Sequence, residues 1–186
     1  MQKLVKIVGL CLLAVSLAAC DGSKDQPAPT GSNTSATQSG EQTTVLGGKV
    51  SFTIPEGLQD QSGSNTSQTS NMAVYADNSA QKMLIVISSS MPGDSLENLI
   101  SRMESQQKMR DTEMTVLTKK GVSAGNQTLQ RLDTLIRIDG KRNYSSTLLT
   151  QIDQQLLTMQ ITFPADRQAE GEKAVQTFID SIKINP

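Results

Sequence analysis

Apolar residues along the chain follow two different periods, and each marks an element. Val50, Phe52 and Ile54 alternate with Ser51 and Thr53, the two-residue period of a half-buried strand, which Pro55 ends. A polar stretch from Gln59 to Asn71 reads as a long loop. Met72 to Tyr75 is a second strand, turned at Asp77-Asn78. Met83 to Ile87 is an unbroken apolar run, the pattern of a central strand covered on both faces. Pro92-Gly93 breaks the chain, and Asp94 with Glu97 forms an acidic variant of the capping box that opens a helix. That helix buries Leu96, Leu99, Ile100 and Met103 and runs to Arg110.

Beyond the helix the period returns to two. Thr115 to Ser123 reads as extended and Ala124-Gly125-Asn126 as a turn. Leu132, Ile136 and Ile138 alternate with Arg131, Asp133 and Arg137 as far as the hairpin signal Asp139-Gly140, and Lys141 to Ile152 is the returning strand. After a turn at Asp153-Gln154, Leu157, Met159, Ile161 and Phe163 alternate with polar residues up to Pro164. The last segment puts Ala174, Val175, Phe178, Ile179 and Ile182 on one helical face, with Asp166 available as N-cap. The expected fold is α+β or an α/β/α sandwich, an antiparallel sheet of about six or seven strands with a mid-chain and a C-terminal helix.

The N-terminus has a different pattern. Lys3 and Lys6 precede the apolar stretch Ile7 to Leu17, and small Ala18 and Ala19 lead to Cys20, the order of a signal peptide spanning residues 1–19. The run is too short for a membrane span of about 20 residues. Leu17-Ala18-Ala19-Cys20 looks like a lipobox, in which the Cys20 thiol is the nucleophile that accepts diacylglycerol and the new N-terminus is then acylated. Asp21, directly after it, resembles the inner-membrane retention signal of enterobacterial lipoproteins. Residues 20–44 are mainly Ser, Thr, Gln, Gly, Asn, Ala and Pro, a composition that cannot bury a core and serves as a tether. The folded domain is expected over residues 45–186.

Charge and composition narrow the function. Lys3 and Lys6 are the only charges in residues 1–19, so cleavage takes the 17 basic and 18 acidic residues to 15 and 18, a net charge of -3. That balance argues against nucleic acid. The chain has no histidine, which removes Ser-His-Asp and Cys-His mechanisms and most transition-metal sites, and no cofactor or metal site is expected. Cys11 leaves with the signal peptide, so no internal disulfide remains.

Ser105-Gln106-Gln107-Lys108 matches a serine–lysine motif but lies late in an amphipathic helix without companion motifs, and reads as a solvated face. Asp133, Asp139, Glu170 and Glu172 read as solvated charges. Lys119, Lys120, Arg137, Lys141 and Arg142 read as guards of exposed strand edges in preference to a rim facing anionic lipid. Met72, Met83, Met103 and Met159 read as core.

Leu17-Ala18-Ala19-Cys20-Asp21, Asp60-Gln61-Ser62-Gly63, Gln81-Lys82, the run Gln155 to Ile161 and Pro164-Ala165-Asp166 occur in an order that resembles the DcrB family of enterobacterial inner-membrane lipoproteins. The resemblance implies a PsbP-like α/β/α sandwich facing the periplasm and a role in envelope integrity and in uptake of certain phages. It carries over no catalytic residue. The expected protein is a non-catalytic, membrane-anchored domain working through contacts with envelope proteins. Two other readings are a carrier of lipid or a small hydrophobic ligand and, less favoured, a serine–lysine hydrolase.

Overall fold

The structure, a computed structural model, describes residues 40–61 and 71–185. The chain divides into two units, residues 1–35 and 36–186, and every described residue belongs to the second.

Seven strands form the main sheet. In chain order they are β3 (Gln59–Asp60), β4 (Met72–Ala76), β5 (Met83–Ser90), β6 (Thr115–Ala124), β7 (Gln127–Ile138), β8 (Lys141–Ile152) and β9 (Gln155–Pro164), and their order across the sheet is β3-β4-β5-β9-β8-β7-β6. All neighbours are antiparallel. The β7–β8 hairpin closes as its sequence predicts: Asp139 and Gly140 both take positive φ, 49° and 77°, as a two-residue primed turn requires.

Register places Tyr75, Leu84, Ile161, Ser146 and Asp133 in one row on one face. On the opposite face a matching row holds Val74, Ile85, Gln160, Thr147 and Leu132. Helix α2 (Gln168–Ser181) covers the first face with Val175, Phe178 and Ile179, all at most 1% exposed. Helix α1 (Leu96–Arg110) covers the β7–β8 part of the second, where Leu99 and Ile100 pack on Leu132 and Leu149 with Leu96 and Met103 at the margin. The three layers make the expected α/β/α sandwich.

Several expectations are corrected. Residues 50–54 do not join the main sheet. Strand β2 (Val50–Thr53) is the middle of a separate sheet with β1 (Gln42–Val45) and β10 (Lys183–Ile184), in the order β1-β2-β10. Its Phe52 stands edge-on to Tyr75 of the main sheet and to Phe178 of α2, with ring centroids 6.4 and 5.2 Å away. Strand β1 starts at Gln42, within the segment assigned to the tether, because polar Gln42-Thr43-Thr44 serves as an edge strand that half-buries only every second residue. Strand β5 is covered on one face only: Leu84 and Val86 are buried, while Ile85 is half-buried and Ile87 is exposed.

Neither helix is capped by the expected aspartate. Ser95 caps α1 by accepting the Asn98 N–H at 3.2 Å, and Asp94 instead accepts from the Ser95 N–H and the Asn98 side chain. Asp166 lies in a 3-10 turn, Ala165–Arg167, and α2 starts after Arg167 without a side-chain cap.

Candidate functional site

Three polar side chains of β7 and β8 are buried on the face that α2 covers, and one of them, Asp133, is a charge that the sequence pattern places in solvent. Arg131 and Asp133, two residues apart on β7, project to the same face, and Ser146 is the cross-strand partner of Asp133 on β8. The guanidinium binds the carboxylate in a fork: Nε donates to Oδ1 and Oδ2 at 3.0 Å each and Nη2 to Oδ2 at 2.7 Å. The Ser146 hydroxyl donates to Oδ1 at 2.6 Å. Asp133 is 2% exposed and Arg131 8% exposed, so the solvated-charge reading of Asp133 is wrong. It fails because β7 is covered on both sides at this point, and alternation along a doubly covered strand does not mark a wet face.

The Tyr144 hydroxyl is buried beside this pair and completes no hydrogen bond of normal geometry. Burial first, and the Asp133 carboxylate second, push its pKa above the usual phenol value, so it stays protonated. The Arg131 guanidinium is penalised by burial, but its bonds to Asp133 more than compensate and raise its pKa, so it stays charged. With both oxygens of Asp133 engaged, the cluster behaves as a pinned polar element in the core.

A second polar constellation fastens α2 to the sheet. Lys82 Nζ donates to Glu170 Oε1 at 2.7 Å and stands 5.6 Å from the Phe163 ring centroid, while Arg167 pairs with the other Glu170 oxygen. The Lys82 hydrogen bond, helped by Arg167 and opposed by partial desolvation, holds the Glu170 carboxyl below its ordinary pKa.

Two surface grooves flank the corner Leu46–Gly48, where Leu46 itself takes a left-handed φ of 54°. One, of about 440 Å³, runs between β1 and the end of β4 and β5 and is lined by Thr43, Asn71, Tyr75 and Ser88 among others. The other, of about 370 Å³, lies between Leu46 and the β8–β9 turn and includes Lys49 and Asp153, which form an ion pair. Between the main sheet and α2 the space is filled by Phe52, Tyr144, Met159, Val175 and Phe178. A carrier of the kind considered above would need that space empty.

The structure separates the other candidate residues. The Ser105 hydroxyl donates to the Ser101 carbonyl at 3.0 Å, and Ser105 and Lys108 are both exposed on α1. Glu172 is exposed and accepts from Gln168. Lys119 and Lys120 lie on β6, the edge strand, where Lys119 reaches Glu104 and Ser101 of α1. Of the methionines, Met159 is fully buried and Met103 packs on the α1 cluster, whereas Met72 and Met83 are only half-buried on the partly uncovered face. Leu17, Ala18, Ala19, Cys20 and Asp21 lie outside the described residues. Among the described residues no helix is long and apolar enough to cross a membrane, and no group of three or more acidic or sulfur ligands could hold a metal.

The family model for DcrB matches residues 50–181, which takes in both layers around the main sheet and the Arg131–Asp133 cluster. The chain belongs to the DcrB family. The inner membrane lipoprotein DcrB of Shigella flexneri is 39% identical over 184 residues, covering 99% of this chain and all of that relative. Beyond the DcrB family the fold is that of PsbP. The solution structure of cyanobacterial PsbP from Synechocystis superposes with a TM-score of 0.59 at 13% identity, covering 86% of this chain and 98% of that one. LpqN, a Mycobacterium tuberculosis protein involved in cell envelope biogenesis, superposes with a TM-score of 0.52 at 13% identity over 74% of this chain and 83% of its own. At such identities the likeness is one of fold alone.

Proposed function

We infer that this chain is an inner-membrane lipoprotein, acylated on Cys20 and retained through Asp21, whose α/β/α domain faces the periplasm without catalytic activity of its own. The observation that carries this reading is the 39% identity to an inner membrane lipoprotein over the whole of that relative, a span that includes the stretch Leu17 to Asp21. The chemistry of that stretch agrees: small Ala18 and Ala19 lead to a thiol, and acylation at two positions gives stable anchoring where a single chain is marginal. An Asp133 carboxylate pinned by Arg131 and Ser146 and an exposed Ser105 and Lys108 favour a domain that works by contact over one that turns over a substrate. Envelope integrity maintained through protein contacts, and a part in the uptake of certain phages, are the roles the family resemblance adds.

The test is Cys20→Ala in the full chain. Lipidation predicts that the variant keeps its signal peptide and lacks the mass of the acyl groups. A mature product of unchanged mass would overturn the anchor. In-cell crosslinking of the wild-type protein, with a lipidated tether lacking the domain as control, then tests for envelope partners, and crosslinks no more numerous than the control's would overturn the contact role.

A further inference from the structure

One end of the domain carries cations and bare apolar side chains together. Asp111, just past the C-terminus of α1, accepts the Arg137 N–H at 2.7 Å and the Glu113 N–H at 3.1 Å, and Glu113 pairs with the Arg137 guanidinium. These bonds fasten the end of α1 to the end of β7, so residues 108–110 and the β7–β8 turn share one end of the fold. They also engage the two nearest acids, so that Asp139 in the turn and Asp166, exposed in the 3-10 turn that contacts β8, are the carboxylates at this end without an ion pair among the described residues, against four cations without one. Lys108, Arg110 and Lys141 are exposed with no carboxylate partner among those residues, and Arg142 reaches only the Thr115 hydroxyl at 3.4 Å. Within this cationic group Met109 is 76% exposed and Ile138 39% exposed.

Structural reasons explain only part of this arrangement. Lys108 and Arg110 complement the negative end of the α1 dipole, and charges near β6 discourage edge pairing. Neither reason places a methionine in water between two cations, or an isoleucine beside a hairpin tip.

We propose that this end of the domain docks on the anionic surface of a lipid bilayer, with Lys108, Arg110, Lys141 and Arg142 among the headgroups and Met109 and Ile138 at the acyl boundary. Residues 40–186 carry 14 basic and 16 acidic side chains, so an anionic surface repels the domain as a whole and attracts it by this end. The apolar groups stand on two protrusions, a helix end and a hairpin tip. Such a shape suits a deformable lipid interface better than the well-packed pockets of a protein contact. The site deepens the reading of an anchored lipoprotein and rests on it only for a membrane within reach. Residues 20–39 extend to about 65–70 Å, longer than a 12-residue strand of about 40 Å, so the tether lets either end of the domain meet the bilayer.

The test uses residues 20–186 carrying Cys20→Ser, secreted behind an ordinary signal peptide and therefore unacylated, co-sedimented at low salt with vesicles at millimolar lipid. Binding is expected to phosphatidylethanolamine vesicles containing about one-third phosphatidylglycerol, and not to phosphatidylcholine, with loss at high salt. Lys108→Glu with Arg110→Glu is expected to lower partitioning about tenfold or more, and Met109→Ser with Ile138→Ser to lower it severalfold at unchanged charge. All four positions are exposed, and an unchanged melting curve confirms that the variants fold. Absence of wild-type binding to the anionic vesicles, or binding that neither double variant weakens, overturns the proposal, as does crosslinking of these residues to an acidic protein without vesicle binding. Because this chain has no acyl group, either result leaves the Cys20 reading to its own test.

Discussion

Gly171 of α2 lies so close to Tyr144 of β8 that a Cβ built on it would stand 2.7 Å from Tyr144 Cδ1 and 3.2 Å from Phe163 Cγ. Both rings are buried, so neither can swing aside. Glycine inside a helix costs about 1 kcal/mol relative to alanine, and here the close helix–sheet approach is what retains it. Gly171→Ala should therefore destabilise the domain by about 1–3 kcal/mol, the usual cost of overpacking, despite its better helix propensity. Urea unfolding measures this, and a stabilised variant would show that α2 can lift off the sheet at little cost.

The Tyr144 ring is a packing element and its hydroxyl is not. The hydroxyl is buried without a hydrogen bond of normal geometry, so removing it leaves no partner unsatisfied. Tyr144→Phe is expected to change stability by less than about 1 kcal/mol. A loss of about 3 kcal/mol would mean that the phenol is bonded to Arg131 or Asp133 in solution.

Arg131 and Asp133 are expected to matter far more singly than together. Asp133→Asn leaves a buried guanidinium without its counter-charge and should cost about 3–5 kcal/mol, whereas Arg131→Met with Asp133→Leu removes both charges and should recover most of that loss. The comparison is made by denaturant unfolding of the wild type and both variants. If the double variant is as unstable as Asp133→Asn, the pair makes a net favourable contribution that apolar packing does not replace.

The elements legible in the sequence were those with a long, clean period or a strong turn. The α1 stripe, the β7–β8–β9 meander and the Asp139-Gly140 turn are of this kind. The small sheet was not legible, because β1 is polar and β10 has two residues, and pairing with β2 creates both. Asp133 was misread for a related reason. Alternation reports a solvated face only where one side of a sheet is open, and α2 and α1 enclose this part of β7. The available signal was the Arg131-x-Asp133 spacing, which puts opposite charges side by side on one face of a strand. The cationic end was legible only in part: Lys141 and Arg142 belong to the basic rim that the sequence reading set below edge protection, whereas its join to Lys108 and Arg110, about 30 residues away, depends on tertiary contacts through Asp111.

Asp21→Ser should redirect the mature lipoprotein to the outer membrane if Asp21 is the retention signal. Separation of the two membranes by density with detection of the mature form checks this. Recovery of the variant in the inner membrane would place retention elsewhere in the chain.

The tie between α2 and β5 should be visible in the acid limb of stability. Glu170 has a folded-state pKa below its ordinary value of 4.5, chiefly through the Lys82 hydrogen bond. A depressed pKa means that the stabilisation is fully present above about pH 4.5 and is lost as pH falls through the folded-state value. Asp77 behaves in the same direction: desolvation opposes ionisation, but the Ser79 hydroxyl and the Lys82 and Gln81 N–H groups outweigh it. The wild-type slope is therefore composite, and Glu170→Gln isolates one component. Since the Glu170 side chain is 44% exposed, solvent limits the expected loss at pH 7 to about 1 kcal/mol or less. The difference between the variant and the wild type should shrink toward zero as pH falls from about 4.5 through the depressed folded-state value, where Glu170 becomes protonated and the wild type loses the same interaction. A difference that stayed constant from pH 7 to pH 3 would mean that Glu170 contributes through packing against its neighbours and not through its charge.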